Sequence, residues 1–286
     1  MAVLLALGSA LAYGLSDFVG GLVSRRASAW AVAVLGQLSA TACTALVALR
    51  VGGSPGTDDL ACALLAGVGS GVGTGFLYRG FAAGRMSVVA PVSAVGAAVV
   101  PVLVGTLGGE RPSAWVWLGI LLALPGIWLV AREPDPPRPD PAATAVGLAS
   151  LADGLTDGIL AGLGFGVLFS ALGQIPDSAG WWPLTTAQAV SVPTVVLLAV
   201  VLRAPWVPRG RPVRWALAAG PLGATATGCF LLATQQGYLT IAGVLASLYP
   251  ATTVLLAAAL LHERIHRAQG VGLGLCGAAI TLVVVG

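Results

Sequence analysis

Apolar residues run along this chain in blocks of membrane-spanning length, broken by short stretches of arginine, proline and glycine. A bilayer core about 30 Å thick takes roughly 20 apolar residues in a helix. The pattern predicts spans at 2–23, 29–49, 60–83, 88–107, 114–131, 155–175, 182–202, 213–235, 239–261 and 268–285. Lipid offers backbone groups no hydrogen-bond partner, so a span must be a helix or a strand of a closed barrel. The two-residue alternation of a barrel strand is absent, which leaves helices.

Polar punctuation supports these limits. Trp30, Trp115, Trp117, Trp128, Trp181, Trp182 and Trp215 all fall near predicted span ends, where an indole keeps its N–H in water. The strongly polar stretch 132–141 is rich in proline and charge and cannot be helical. It divides the chain into a first unit at 1–131, a linker at 132–143 and a second unit at 144–286, each unit with five spans.

The two units are related. Residues 61–131, shifted by 153 positions, align without gaps on 214–284. Thr74-Gly75 falls on Thr227-Gly228, Glu110-Arg111 on Glu263-Arg264, and Gly119 on Gly272. Five is odd, so the second unit crosses the membrane in the opposite sense to the first. The expected fold is therefore an all-α membrane protein of ten transmembrane helices in two inverted five-helix repeats. Secondary transporters use this construction, with the substrate site where the repeats meet.

Composition agrees with lipid as the solvent. Of 286 residues, 57% are apolar and 9% charged, against roughly a quarter charged in soluble chains. Every basic residue is arginine, and a net charge of +3 scattered along the chain excludes a nucleic-acid partner. The first apolar run lacks a basic leader and continues into a full span, so no cleaved signal is expected. Cys43, Cys62, Cys229 and Cys276 sit inside spans without CxxC spacing and read as unpaired thiols. Loops after odd-numbered spans carry eleven arginines, whereas those after even-numbered spans carry only Arg50 and Arg111. The positive-inside rule then puts odd loops in the cytoplasm and both termini outside.

Two motifs look chemical. His262-Glu-Arg-Ile-His266 spells HExxH, in which two histidines one turn apart bind zinc. A zincin needs a third ligand downstream, and residues 267–286 hold no Asp, Glu or His and only Cys276. The same place in the first repeat reads Gly-Glu-Arg-Pro-Ser, so Glu263-Arg264 is read as a helix-end pair and no metal or other cofactor is expected. Gly272-Leu-Gly-Leu-Cys-Gly277 spells GxGxxG but follows no strand and lies within a span, which excludes dinucleotide binding. Gly67/Gly71/Gly75, Gly69/Gly73, Gly158/Gly162/Gly166 and Gly270/Gly274 read instead as ridges for close helix packing. Pro91, Pro101, Pro125, Pro193 and Pro250 lie in or near spans as hinges or static kinks.

Polar residues at depth carry most of the functional signal, because an ionisable group in a span is costly. Asp17 and Arg79 read as the one acid and the one base well inside, about 9 and 6 Å below the same surface. Gln37 enters about 12 Å from that side, with Tyr78 and Ser93 shallower. The second repeat offers Gln188 and Tyr249 but no charge, since Leu232 occupies the place of Arg79. Asp17 and Arg79 are expected to pair, either locking helices together or handling substrate or protons. Asp153 and Asp157 are expected at a solvated helix start. The candidate substrate-binding set is Asp17, Gln37, Tyr78, Arg79, Ser93, Gln188 and Tyr249.

Several stretches resemble the EamA-type members of the drug/metabolite transporter superfamily: 8–18, Leu77-Tyr-Arg-Gly-Phe-Ala-Ala-Gly84, Met86-Ser-Val-Val-Ala-Pro-Val-Ser93, Gly109-Glu-Arg111 and Ser247-Leu-Tyr-Pro250. The resemblance implies a non-enzymatic, multi-pass transporter, commonly an exporter of metabolites or toxic compounds. Such proteins are often drawn with cytoplasmic termini, against the arginine count here. No GxxxxGK[ST] nucleotide motif is present, so a gradient or the cargo's own gradient supplies the drive. The expected partners are the bilayer of the cell's inner membrane, a neutral, amphipathic or zwitterionic small molecule, and protons if these are coupled. The rival readings are an intramembrane zinc protease using His262, Glu263 and His266, and a non-transporting scaffold.

Overall fold

A computed structural model describes residues 1–83, 85–131, 144–260 and 265–286. The described residues contain helices and no strand. The first half comprises α1 (Ala2–Ser24), α2 (Ala29–Val51), α3 (Thr57–Ala82), α4 (Met86–Leu107) and α5 (Ala114–Ala131). The second comprises α6 (Thr144–Leu172), α7 (Trp182–Val201), α8 (Ala219–Thr234), α9 (Leu239–Ala246), α10 (Tyr249–Leu260) and α11 (Arg267–Val285). Among the described residues, ten stretches are long and apolar enough to cross a membrane, with α9 and α10 sharing the ninth. Leucines such as Leu4, Leu49, Leu65, Leu121 and Leu197 face outward. So much exposed apolar surface on a compact chain marks an interface with lipid.

Three of the expected elements differ, the eighth span because it opens with a 3₁₀ helix, Pro212–Ala218, before α8. α6 begins at Thr144 rather than 155, which carries Asp153 and Asp157 into the helix body. The ninth span is broken at Ser247-Leu248. Pro250 has no N–H to give Ala246, so the ladder there switches to three-residue steps, Leu248 N–H to Leu245 O at 3.2 Å and Ala251 N–H to Leu248 O at 2.9 Å. Pro91, Pro101, Pro125 and Pro193 are absorbed by continuous helices. The linker at 132–143 and Gly84 lie outside the described residues.

The halves do not sit side by side; each lends its first helix to the other. α1 packs on α8, α9 and α10, while α6 packs on α3 and α4. α3 also lies on α7, α2 on α8, and α5 on α11. These contacts obey a two-fold relation visible atom by atom. A Cβ on Gly119 would lie 3.0 Å from Ala279 O and 2.9 Å from Val283 Cγ2. On Gly272, its equivalent, a Cβ would lie 2.8 Å from Gly126 O and 2.6 Å from Val130 N, and Gly126 and Val130 are the equivalents of Ala279 and Val283. Likewise Gly75 receives the Trp30 ring and Gly228 the Trp181 ring. Trp30 and Trp181 thus fill notches between helices instead of joining the exposed Trp115, Trp117, Trp128 and Trp215.

Most of the glycine ridges do what their spacing implies. Gly69 and Gly73 meet Gly164, and Gly158, Gly162 and Gly166 meet α4. Gly270 and Gly274 are different: nothing lies within 4 Å of a Cβ at either.

Glu110 gives the helix-end reading of Glu-Arg a concrete form. Its carboxylate accepts from Leu239 N at 2.6 Å and Thr240 N at 2.9 Å. One half therefore caps a helix of the other, where orphan N–H groups and the helix dipole favour negative charge.

Candidate functional site

Where α1, α2, α3, α6, α7 and α8 converge, they line a partly open cavity of about 50 Å³, with residues from both halves. A water needs at least about 10–15 Å³ by this measure, so the void in this conformation has room for only a few.

Gln37 and Gln188 face the cavity from opposite halves and are held in matching ways. Gln37 Nε2 donates to Ser70 Oγ and Thr74 Oγ1, both at 3.0 Å. Gln188 Nε2 donates to Thr227 Oγ1 at 3.1 Å. Thr74 and Thr227 are repeat equivalents, so the two-fold relation runs through the cavity. Thr227 Oγ1 spends its own proton on Gly223 O at 2.9 Å. It can therefore only accept from Gln188, which fixes the orientation of that amide.

Asp17 lies on α1, one turn past Tyr13, and is 9% exposed. It lines the cavity beside Ser16 and Tyr78. Ser16 Oγ donates to Ala219 O at 3.1 Å. Asp17 makes no hydrogen bond or ion pair among the described residues.

The expected Asp17–Arg79 pair is not formed. Arg79 turns to α6 and gives Asp157 Oδ1 two contacts, one from Nε at 2.7 Å and a second from Nη2. Its guanidinium carbon also lies 4.8 Å from the centre of the Phe76 ring. Arg85 joins from the α3–α4 turn, with Nη1 3.7 Å from Asp157 Oδ2 and 3.4 Å from Asp153 Oδ2. Asp157 is fully buried, not solvated at a helix start. The long α6 brings it opposite α3, where two guanidinium groups offset its desolvation. Asp17 is thus not the only buried acid.

Of the seven candidate residues, Asp17, Gln37, Tyr78 and Gln188 line the cavity, while Arg79, Ser93 and Tyr249 do not. Ser93 and Tyr249 lie against each other, Oγ to Oη 3.3 Å, behind Tyr13, whose ring centre is 6.3 Å from that of Tyr249. Sequence reasoning missed Ser70, Thr74 and Thr227 as lining residues, although Thr74 and Thr227 already stood out as a repeat pair. Of the HExxH motif, His262, Glu263 and Arg264 lie outside the described residues. His266 is exposed and precedes α11, its N–H bonded to Gln269 Oε1 at 3.1 Å.

The sequence matches the EamA-like transporter family over residues 1–132 and again over 154–285, one match per half. The chain belongs to the EamA-like transporter family. As an EamA-like protein it is a multi-pass membrane transporter of small molecules. No protein of curated function matches its sequence. A solved structure, described only as the crystal structure of a protein, superposes with a TM-score of 0.71 at 17% identity, over 99% of this chain and 96% of the other. At that identity the likeness between the EamA-like chain and the crystal structure is one of fold.

Proposed function

We propose that this EamA-like protein is a secondary transporter of the inner membrane, working by alternating access and exporting its cargo. Its cargo site is the cavity shared by the five-helix halves 1–131 and 144–286, and it performs no chemistry on what it carries. The observation that carries this reading is Asp17. A carboxyl group that is nine-tenths buried, on the wall of a void between two inverted repeats and without a hydrogen-bond or ion-pair partner among the described residues, has no structural contact there to account for it. A buried ionisable group so placed is a functional group by default. Gln37 and Gln188 support the same reading, since two repeat-related amides on facing walls suit a site that must be presented to each side in turn.

The test is flux. The purified full chain in liposomes should move at least one member of a metabolite panel, and a pH gradient should change the rate if protons are coupled. Asp17→Asn should fold and insert normally yet lose most of that flux. Unchanged flux in the variant would remove Asp17 from the mechanism.

A further inference from the structure

We infer that the cavity takes an organic monocation, an ammonium group carried on an apolar body, in preference to an anion or a zwitterion; this rests on the transporter reading above. Charge is the first argument. Among the described residues that line the cavity, Asp17 is the only acid, and Lys, Arg and His are absent. The two nearby arginines are committed elsewhere, Arg79 to Asp157 and Arg85 to Asp157 and Asp153. A carboxylate on the cargo would find no cation to meet it, whereas an ammonium would meet Asp17.

Hydrogen-bonding capacity points the same way. Gln188 spends an N–H on Thr227, whose proton is itself spent on backbone, so the group left over on that amide includes its carbonyl oxygen. Gln37 donates to both Ser70 and Thr74 and likewise keeps its carbonyl. Ser16 gives its proton to Ala219 O. The wall thus keeps the Asp17 carboxylate and two amide carbonyls in hand as acceptors, beside one hydroxyl, that of Tyr13, without a partner among the described residues. That arrangement suits a donor-bearing cation.

The remainder of the lining separates organic from inorganic cations. A hard metal ion wants a shell of oxygens. Here Ala33 and Gly36 from α2 and Ala219 and Gly223 from α8 contribute small apolar surfaces, while Tyr13, Tyr78 and Phe165 contribute rings. Aromatic faces attract ammonium groups and accept the apolar body behind them.

Four probes of one body isolate the charge: phenethylammonium, phenylalanine, 3-phenylpropanoate and 2-phenylethanol. Binding to the purified full chain is read by calorimetry or thermal stabilisation, with Asp17→Asn and Asp17→Glu as the variants. Phenethylammonium should bind at least about tenfold more tightly than the other three, because only it brings Asp17 an ammonium without also bringing a carboxylate that the wall leaves unpaired. Asp17→Asn should erase that preference and Asp17→Glu should keep much of it. Equal or better binding of phenylalanine or phenylpropanoate, an amine indifferent to Asp17→Asn, or no amine binding would each overturn the inference. Displacement of the amine by millimolar sodium in an Asp17-dependent way would assign the site to an inorganic ion and overturn it too. Liposome flux separates this inference from the reading beneath it. Transport of neutral or zwitterionic cargo alone would defeat the cation and leave a transporter, whereas no flux of any charge class would defeat both.

Discussion

Arg79 on α3 and Asp157 on α6 are bound side by side across the boundary between the two halves, Nε to Oδ1 at 2.7 Å. Asp157 is sealed from solvent while the Arg79 side chain keeps 31% of its surface, so the acid bears most of the desolvation. Arg79→Gln should therefore leave a buried carboxylate with only the distant Arg85, costing about 3 kcal/mol of stability. Asp157→Asn should cost less, since it leaves a cation that can reach water. The double variant should recover much of the loss, whereas Asp17→Asn combined with Arg79→Gln should be additive. Unfolding midpoints in detergent read all four.

Gln188 and Thr227 offer a second cycle. Thr227→Val keeps the shape but removes the acceptor, leaving a buried amide N–H unpaired, at about 1–3 kcal/mol. Flux should fall with it, because the amide is no longer held toward the cavity. Thr74→Val should be milder, since Gln37 retains Ser70.

Glycine substitutions should divide according to whether they face protein or lipid. A Cβ on Gly164 would lie 2.5 Å from Gly73 N and 2.7 Å from Gly69 O, both backbone atoms that cannot step aside. Gly164→Ala should push α3 from α6 and destabilise by about 1–3 kcal/mol. Gly274→Ala and Gly277→Ala meet nothing within 4 Å. They should be neutral or slightly stabilising, as alanine is the better helix former. Thermal scans of the three variants check the contrast.

The arginine distribution proposes an external C-terminus. A reporter fused after Gly286 should behave as exported, and a cytoplasmic signal would reverse the orientation while leaving the helices as they are.

Much of the architecture was legible because lipid imposes it. A run of apolar residues has to be a helix, and a repeated run of five has to invert. What escaped was rotation about each helix axis. Depth alone put Asp17 and Arg79 level with each other, but the faces of α1 and α3 that carry them look different ways. Asp157 was read as solvated because the apolar run seemed to start beside it, whereas α6 extends a further eleven residues toward the N-terminus. The kinship of Gln37 with Gln188 was hidden by register. Gln37 and Thr74 are 37 residues apart and Gln188 and Thr227 are 39, so a gapless comparison that aligns the threonines misses the glutamines. The break before Tyr249 could not be told from four other prolines that helices tolerate.

The exchange of first helices has a consequence for biogenesis. Ser16 on α1 bonds Ala219 on α8, 203 residues later in the chain, so α1 leaves the ribosome and enters the bilayer long before its partners exist. Its polar face, with Asp17, must wait among lipids or beside an insertase until α8 to α10 arrive. Neither half can close its own core, and truncation after the fifth span should yield a fragment that is inserted but degraded. The two halves expressed as separate chains should rescue each other, because the assembly never depended on the peptide that joins them.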